Sequence, residues 1–442
     1  MSNGENKKNG NSNGEKKILK FLFISWESLS GDLALQIKKE GHEVKIYIKS
    51  EEDKDVYEGF LEKVGDWKKF VDWTDVVVFD DVGFGEEADK LRKSGKLVVG
   101  GSAYTDKLEE DREFGQGEMK RVGMLTLPHW DFSDYDLALK FIEENPGRYV
   151  YKPSGFVPSD YKGILFLGKD EDGKDIHEII RSNKKILADR IKQFQLQKFV
   201  QGVEIAVGAF FNGNDFIYPI NINFEHKKLF PGDIGPFTGE MGTLMYWSGA
   251  NAIFKMTLEK MREDIKKSGY VGYIDINCVA NARGIYPLEF TSRFGYPTIS
   301  VQSEGVTSEW GDFLYKIAKG ENYDLKTKKG FQIGIVCATP PFPYDDKSEM
   351  AIYKDLSIIF KKPNLEGVHL GDVKLVDGDW RIAGNTGYAL VVTGSGVTVE
   401  DARRQVYGRL ENILLQNMFY RTDIGLGWYE DSDKLQTWGY LY

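Results

Sequence analysis

The sequence predicts a multidomain α/β protein, and three observations lead to that class. Its 442 residues exceed the usual size of a single domain. Hydrophobic residues make up 41% of the chain and charged residues 29%, a balance typical of chains that fold around apolar cores. Near the amino terminus, short apolar runs alternate with amphipathic stretches, the pattern that builds parallel sheets covered by helices.

Charge and cysteine content exclude several classes of function. The net charge of −10 argues against a nucleic-acid-binding surface, which is normally basic. No run of 18 apolar residues is present, so no membrane-spanning helix is expected. Cys278 and Cys337 are too few for a disulfide scaffold or a four-cysteine zinc site. We therefore expect a cytoplasmic protein without nucleic-acid or membrane partners. We also expect a monomer or a homodimer, although neither charge nor cysteine content distinguishes the two.

The first part of the chain divides into a tail and a domain. Residues 1–17 are polar and rich in Asn, Lys and Gly, which predicts a disordered tail. Residues 18–125 alternate between strand and helix patterns, as in a Rossmann-like domain with a parallel sheet. Its strands are predicted at Ile18–Ser25, His42–Lys49, Val76–Phe79 and Lys96–Val99, and its helices at Leu33–Glu40 and Glu86–Ser94.

The rest of the chain suggests three further units, 126–195, 196–325 and 330–430, with the last preceded by a lysine-rich linker, Lys326–Lys329. Helices are predicted at Tyr135–Glu144, Asp175–Lys185 and from Val399 to about Leu415. Strands are predicted at Arg148–Lys152, Ile164–Leu167, Gln195–Val200, Ile205–Phe211, Ile274–Val279, Ile285–Phe290, Gln332–Val336 and Tyr388–Thr393.

The loop after the first strand, Trp26–Gly31, lacks the glycines that a dinucleotide site needs. Only glycine lets backbone amides close on a pyrophosphate, and this loop holds one glycine and a bulky tryptophan. This argues against a nicotinamide-dependent dehydrogenase and leaves an ordinary polar loop as the plain interpretation.

Two segments in the middle of the chain are candidate nucleotide ligands. Lys152 ends a strand before a glycine-containing loop, where a lysine can hold a phosphate beneath a closing loop. Gln197–Glu204 combines a strand edge that could meet an adenine with a carboxylate that could accept from ribose hydroxyls. A solvated lysine and a plain strand and turn remain the alternatives.

The segment Ile274–Arg293 carries the strongest local signal. Two apolar strands flank a turn, and pairing them as a hairpin would bring Asp275 and Glu289 toward one another. Paired carboxylates in a dry site suggest a divalent cation, and Arg293 beyond Thr291 could hold a phosphate or carboxylate. The alternative is a metal-free surface carboxylate and a second, salt-bridged one.

Taken in order, these segments resemble the ATP-grasp superfamily and, within it, the phosphoribosylamine–glycine ligases (glycinamide ribonucleotide synthetases). The segments that carry the resemblance are Leu108–Phe114, Lys152, Phe199–Glu204, Glu225–Lys228, Gly235–Gly242, Leu288–Pro297 and Met418–Gly425. The resemblance implies an ATP-grasp fold with a lid at 126–195 and a central part at 196–325. A Rossmann-like domain would precede these parts, and a small mixed α/β domain would follow them.

The resemblance also implies roles for individual residues. ATP and Mg²⁺ (or Mn²⁺) would be the cofactors, and Arg293 and Lys152 would act in catalysis. Contacts with ATP are implied for Arg112, Lys152, Lys162, Gln197, Lys198, Phe199, Val200 and Glu204. Contacts with the substrates are implied for His226, Lys227, Thr238, Gly239, Glu240, Met241 and Arg293, and contacts with the metal for Glu289, Asp275 and Thr291.

The implied activity joins a small carboxylate to a small amine through an acyl phosphate, as in purine biosynthesis. The sequence departs from the resembled pattern at Arg112, Trp26–Gly31, Glu240, Thr291, Tyr296, Thr298 and Tyr388. Most departures fall at the substrate end, which suggests a changed acid and amine pair. Two alternatives stay open: compensated substitutions that preserve the family's own reaction, and a catalytically degenerate nucleotide-binding protein with a regulatory or scaffold role.

Overall fold

The computed structural model describes residues 17–154, 165–344 and 346–442. Nearly all of the predicted tail lies outside these residues, as do Lys162 and the first residue of the strand predicted at Ile164–Leu167. In the part of the chain that is described, no helix is long and apolar enough to cross a bilayer.

The amino-terminal unit is a five-stranded parallel sheet, which confirms the predicted α/β class. The strand order is β3-β2-β1-β4-β5, and every neighbouring pair is parallel. Apolar side chains of β1 and β4 are buried on both faces, as helices on both sides require. The elements are β1 (Lys20–Ser25), α1 (Gly31–Lys39), β2 (Glu43–Ile48), β3 (Glu62–Lys63), a 3₁₀ turn (Trp67–Phe70), β4 (Val76–Phe79), α2 (Gly85–Lys93), β5 (Leu97–Val99), α3 (Ala103–Glu110) and α4 (Arg112–Arg121).

A second unit has its own antiparallel sheet and its own hydrophobic cluster. The strand order is β6-β9-β7-β8, and Tyr151, Phe194 and Ile176 are fully buried beneath the helices. The elements are β6 (His129–Phe132), α5 (Tyr135–Glu144), β7 (Tyr149–Ser154), β8 (Phe166–Leu167), α6 (Lys174–Arg190) and β9 (Gln193–Lys198). Predicted helix Tyr135–Glu144 is confirmed at both ends.

The largest sheet has eight strands in the order β14-β13-β10-β11-β12-β15-β20-β17. Three of these strands, β15 (Phe331–Ala338), β20 (Tyr388–Gly396) and β17 (Val368–Leu370), come from the carboxy-terminal segment. Neighbouring strands are antiparallel throughout. Its elements up to residue 318 are β10 (Val203–Asn212), β11 (Phe216–Phe230), β12 (Ile234–Ser248), α7 (Ala252–Met256), a 3₁₀ turn (Leu258–Met261), α8 (Arg262–Ser268), β13 (Val271–Asn281), β14 (Gly284–Thr291), α9 (Thr298–Gly305) and α10 (Trp310–Ala318). β13 and β14 form the predicted hairpin.

Strands from the carboxy-terminal segment are divided between two sheets. β15 (Phe331–Ala338), β17 (Val368–Leu370) and β20 (Tyr388–Gly396) extend the eight-stranded sheet, because β15 pairs with the free edge of β12. A separate four-stranded sheet has the order β18-β19-β16-β21. The remaining elements are α11 (Lys347–Tyr353), β16 (Ser357–Phe360), β18 (Val373–Val376), β19 (Asp379–Ile382), α12 (Val399–Leu410), β21 (Ile413–Leu414) and α13 (Trp428–Thr437).

Two expectations for this segment differ from the structure. The helix predicted from Val399 to about Leu415 ends at Leu410, because Ile413 and Leu414 pair with β16 as a short strand. The lysine-rich stretch expected to be a linker is tied to the eight-stranded unit: the Lys328 backbone N–H donates to the Gly305 carbonyl at 2.7 Å, and its side chain pairs with Glu304.

Candidate active site

Five charged side chains from four elements meet where the second unit approaches the eight-stranded sheet. Arg112 begins α4, Lys152 lies in β7, Glu225 and Lys227 lie in β11, and Glu289 lies in β14. Lys227 Nζ is 3.3 Å from Glu289 Oε1 and 3.5 Å from Glu225 Oε2, and Arg112 Nη2 is 3.9 Å from Glu289 Oε2. We call these five residues the charged cluster.

The charges of the cluster shift the pKa values of Glu289 and Lys227. Lys227, and then Arg112, lower the pKa of Glu289 to about 2, so this carboxylate is ionised at neutral pH. Burial opposes the charge of Lys227, but Glu289 and Glu225 raise the pKa of Lys227 above its ordinary value. The cluster therefore presents lysine and arginine charges around an ionised carboxylate, an arrangement suited to polyphosphate with a metal ion.

Lys152 is a buried lysine that titrates near neutral pH. It is 6% exposed, and its Nζ donates to Gln197 Oε1 at 2.7 Å across the β7–β9 pair. Burial, with the nearby charge of Arg112, lowers the pKa of Lys152 to about 7. A bound anion would restore the full charge of this lysine.

The segment predicted to meet the adenine, Gln197 to Val200, leads from β9 towards β10. Some of its backbone groups already form hydrogen bonds within the protein. The backbone N–H of Lys198 donates to the Pro128 carbonyl at 2.9 Å. The backbone N–H of Phe199 donates to the Arg148 carbonyl at 3.0 Å. The Arg148 guanidinium lies 3.5 Å from the Phe199 ring centre. Val200 follows in the same connection, and Glu204 is exposed in β10. The charge of Glu204 acts on Lys152 and on Lys227, so these predicted residues do lie together.

The three predicted metal ligands share one face of the β13–β14 hairpin. Asp275 is opposite Thr291, and Glu289 is opposite Asn277, so the two carboxylates are diagonal neighbours. Glu289 is 44% exposed, whereas Asp275 is buried and its Oδ1 has no partner among the described residues. Burial and the charge of Glu225 raise the pKa of Asp275 well above its ordinary value.

These residues fit a magnesium ion held jointly with phosphate oxygens. Mg²⁺ commonly takes one or two protein carboxylates and completes its shell with water and phosphate. The accessible, ionised Glu289 suits that use, and the unpartnered Asp275 Oδ1 adds a second oxygen nearby. Within residues 17–154, 165–344 and 346–442, no three His, Cys, Asp or Glu side chains form a complete metal site by themselves.

Arg293 follows β14 and is held by two carboxylates of the amino-terminal unit. Its Nε is 2.9 Å from Glu109 Oε1 and 3.3 Å from Asp81 Oδ1. The Ser292 backbone N–H also donates to Glu109, at 2.7 Å. These contacts fix the guanidinium at the end of the hairpin, beside Asp275.

The residues predicted to bind substrate separate into different environments. Lys227 belongs to the charged cluster, whereas His226 is held among Arg421, Asp423 and Asp233, because successive strand residues point to opposite faces. Burial, with the charge of Arg421, lowers the pKa of His226 to about 4. In β12, Thr238 Oγ1 donates to the Lys227 carbonyl, Gly239 is exposed, and Glu240 and Met241 are buried.

The sequence reasoning missed several residues that shape this region. Glu225 and Glu109 were not among the predicted site residues, although Glu225 precedes Lys227 by two positions and so shares its face. A buried network also went unrecognised: Asn221 Nδ2 donates to Asn223 Oδ1 and to Tyr273 Oη, both at 2.9 Å. The alternation of Asn221 and Asn223 in an apolar strand was the available signal.

Departures from the resembled pattern that are distant in sequence meet in the structure. Tyr296 and Tyr388 stack with ring centres 4.2 Å apart, and the Glu240 charge acts on Tyr388. At the first loop, Tyr57 covers the start of α1: its hydroxyl donates to the Ser28 carbonyl at 2.8 Å. Its ring occupies the space that a side chain at Gly31 would need.

Comparison with known proteins agrees with this geometry. Residues 110–299 match the family model described as the phosphoribosylglycinamide synthetase ATP-grasp (A) domain. A phosphoribosylamine–glycine ligase from Streptococcus pneumoniae is 26% identical over 348 residues, 76% of this chain and 80% of that protein.

Solved structures show the same fold. The phosphoribosylamine–glycine ligase of Thermotoga maritima superposes with a TM-score of 0.70 at 21% identity, covering 92% of this chain and 100% of that one. An ADP complex of N5-carboxyaminoimidazole synthetase from Staphylococcus aureus gives 0.58 at 14% identity, covering 90% and 98%. The chain has the ATP-grasp fold, and it resembles phosphoribosylamine–glycine ligase over most of its length.

Proposed function

We propose that this protein is an ATP-dependent carboxylate–amine ligase that forms ADP, with ATP and Mg²⁺ as cofactors. The observation that carries the proposal is the charged cluster, in which Lys152, Arg112 and Lys227 surround the ionised Glu289. Such a set has a direct use in phosphoryl transfer, where fixed positive charges stabilise the charge on the transferring group.

The reaction has two steps. A carboxylate oxygen of the acid attacks the γ-phosphorus of ATP, the bond to the bridging oxygen breaks, and ADP leaves. The amine nitrogen then attacks the acyl carbon, the bond to the phosphate oxygen breaks, phosphate leaves, and the nitrogen loses a proton. Magnesium, when bound, would neutralise phosphate charge.

Individual residues would divide this work. Lys152 and Arg112 would hold ATP phosphates, Gln197 to Val200 would meet the adenine, and Glu204 the ribose. Glu289, with Asp275 and Thr291, would bind the metal ion, and Arg293 would hold a reacting carboxylate or phosphate. Arg293 is prepared for this by Glu109 and Asp81, which fix its orientation.

We propose that residues 18–125 form the amino-terminal domain and residues 126–195 the lid. Residues 196–325 would form the central part, and residues 330–430 the carboxy-terminal domain. Closure of the lid would protect the acyl phosphate from water. The acid and amine of the related ligases, glycine and phosphoribosylamine, are the first pair to test.

The test is Mg²⁺-dependent ADP release from ATP with candidate acids and amines, with the amide product identified by mass. We expect Glu289→Gln to reduce release by at least about 100-fold without unfolding the protein, because the substitution removes one charge and keeps the shape. Glu86→Gln, on an exposed and loosely paired residue of α2, is the matched control and should retain full activity.

Two outcomes would count against the ligase. Tight ATP binding without ADP release for any acid and amine would favour the nucleotide-binding regulatory or scaffold protein instead. Full activity of Glu289→Gln would remove Glu289 from the metal site.

A further inference from the structure

Two buried polar atoms near the substrate end of the site have no hydrogen-bond partner in the described part of the chain, and the charge of one residue acts on the other. Glu240 and Tyr388 are each 7% exposed, and neither Glu240 Oε1 nor Tyr388 Oη has a hydrogen-bond partner among the described residues. Both residues lie on strands that flank β15. Gly242, two residues after Glu240, pairs with Ile335 of β15, and Tyr388 pairs with Ala338 of β15. A buried carboxylate oxygen and a buried hydroxyl that both lack partners within the described structure can each accept a hydrogen bond from a ligand.

The surroundings of these atoms are aromatic and acidic. Tyr296 stacks on Tyr388, with ring centres 4.2 Å apart and planes inclined by 25°. The Asp372 backbone N–H donates to the Tyr388 carbonyl at 2.8 Å, and the charge of Asp372 acts on Tyr57, Tyr296 and Tyr388. We call Tyr57, Glu240, Tyr296, Asp372 and Tyr388 the acidic–aromatic cluster.

Basic side chains bordering this region are already neutralised. Lys227, whose charge acts on Glu240, is paired with Glu289 and Glu225. Lys374 is paired with Asp55 and Asp355, and His369 lies 2.7 Å from Asp32. An anionic group would therefore compete with carboxylates already in place.

The start of α1 is also unsuited to a phosphate. Both the backbone N–H and the hydroxyl of Ser30 donate to Asp80 Oδ2, at 2.9 and 2.8 Å. Asp80 is fully buried beside this helix end, and Tyr57 covers Gly31. The donors and the positive end of the helix, which bind phosphate in other folds, here face a carboxyl group and a ring.

We propose that the acidic–aromatic cluster binds the amine substrate through a cationic group, an ammonium or guanidinium, and that this substrate carries no phosphate. The inference rests on the proposed ligase function and names the chemical class of its second substrate. Carboxylate oxygens and the Tyr388 hydroxyl would accept hydrogen bonds from the cation, and the tyrosine faces would add cation–π attraction.

The test is calorimetric titration of the full chain, in the presence of MgADP, with three amines. Agmatine carries an ammonium and a guanidinium, butylamine carries one ammonium, and phosphoethanolamine carries a phosphate. We expect agmatine to bind at least about tenfold more tightly than butylamine, and phosphoethanolamine to bind most weakly. Glu240→Gln should weaken agmatine binding by at least about tenfold, and Tyr388→Phe by about threefold.

The control is Glu366→Gln, an exposed carboxylate outside the cluster, which should bind agmatine as the unchanged protein does. The proposal would be overturned if phosphoethanolamine bound more tightly than agmatine. It would also be overturned if Glu240→Gln bound agmatine as tightly as the unchanged protein does. The ADP-release assay separates the two claims. If agmatine binds through Glu240 but no ADP is released with any substrate pair, only the proposed ligase activity is contradicted. If ADP is released only with phosphorylated amines, only the proposed cation-binding site is contradicted.

Discussion

At the residue scale, burial gives Lys152 properties that its position in the sequence does not reveal. A strand-end lysine is usually solvated and fully charged, but this one is enclosed and shares its surroundings with Arg112. The sequence identified Lys152 and Gln197 separately as nucleotide ligands, and the structure joins them by a hydrogen bond. Their role in binding ATP stays a prediction.

The pKa of about 7 makes the role of Lys152 testable through pH. Protonated lysine attracts phosphate, so ATP affinity should fall severalfold as the pH rises from about 6 to about 8. Lys152→Met should bind ATP more weakly at pH 6 and should lose this part of the decline. The measurement is calorimetric titration with MgATP at constant ionic strength; parallel pH profiles in the two proteins would exclude Lys152 from the ATP contacts.

At the element scale, the position of a side chain depends on the strand register as much as on the strand itself. The β13–β14 hairpin was predictable from two apolar runs around a turn, but its register sets Asp275 opposite Thr291 and Glu289 opposite Asn277. The register changes at a bulge between Asn277 and Cys278, which the sequence does not reveal. His226 and Lys227 were predicted to act together, but neighbouring residues of a strand point to opposite faces. In the structure these two side chains therefore lie among different charged groups.

One close approach in β10 is testable at this scale. A side chain at Gly208 would meet Tyr273 Oη at 2.0 Å, so Gly208→Ala should displace this ring and break its bonds to Asn221 and Asn223. We expect a loss of about 1–3 kcal/mol in the free energy of unfolding, measured by denaturant titration.

The matched control for this prediction is Gly408→Ala in α12. An added methyl group at Gly408 meets no heavy atom within 4 Å. Alanine also favours a helix, so this variant should gain about 0.5–1 kcal/mol. Equal stabilities for the two variants would show that the Gly208–Tyr273 contact is not needed.

At the scale of the whole molecule, a largely enclosed carboxylate joins the amino-terminal unit to the carboxy-terminal segment. Asp32 of α1 accepts from the Leu370 backbone N–H at 3.0 Å and lies 2.7 Å from His369 Nδ1 in β17. His369 Nε2 in turn lies 2.8 Å from Thr393 Oγ1 of β20. These contacts fix the amino-terminal unit against the eight-stranded sheet, which positions the first loop beside the acidic–aromatic cluster.

Removing this carboxylate should weaken the whole assembly. Asp32→Ala leaves the Leu370 N–H without its acceptor, and we expect a loss of about 1–3 kcal/mol at pH 7. Burial opposes the charge, but His369 lowers the folded-state pKa of Asp32 below its ordinary 3.8. The stabilisation is therefore present above pH 3.8 and is lost as the pH falls through the folded-state value.

Denaturant titration at several pH values checks this prediction. Glu86→Ala, an exposed residue 3.8 Å from Lys90, serves as control and should change stability little at any pH. An Asp32→Ala penalty that stays constant down to about pH 2 would contradict the role assigned to the charge.

The sequence alone determined the α/β class, the parallel first sheet, most strands and helices, and the resemblance to ATP-grasp ligases. These properties follow from hydrophobic periodicity and from short motifs, which act over a few neighbouring residues. Tyr135–Glu144 and Val76–Phe79 were predictable to the residue, because polar or glycine-containing boundaries flank them.

Only the tertiary structure decided which distant residues meet. β15 and β20 extend the eight-stranded sheet, because the edges of strands pair without regard to their distance in the sequence. The strands of segment 330–430 are therefore divided between two sheets. The acidic–aromatic cluster brings residues of three segments, near 57, 240–296 and 372–388, to one place. Their charges and rings act on one another only through space, and that proximity is a property of the packed molecule.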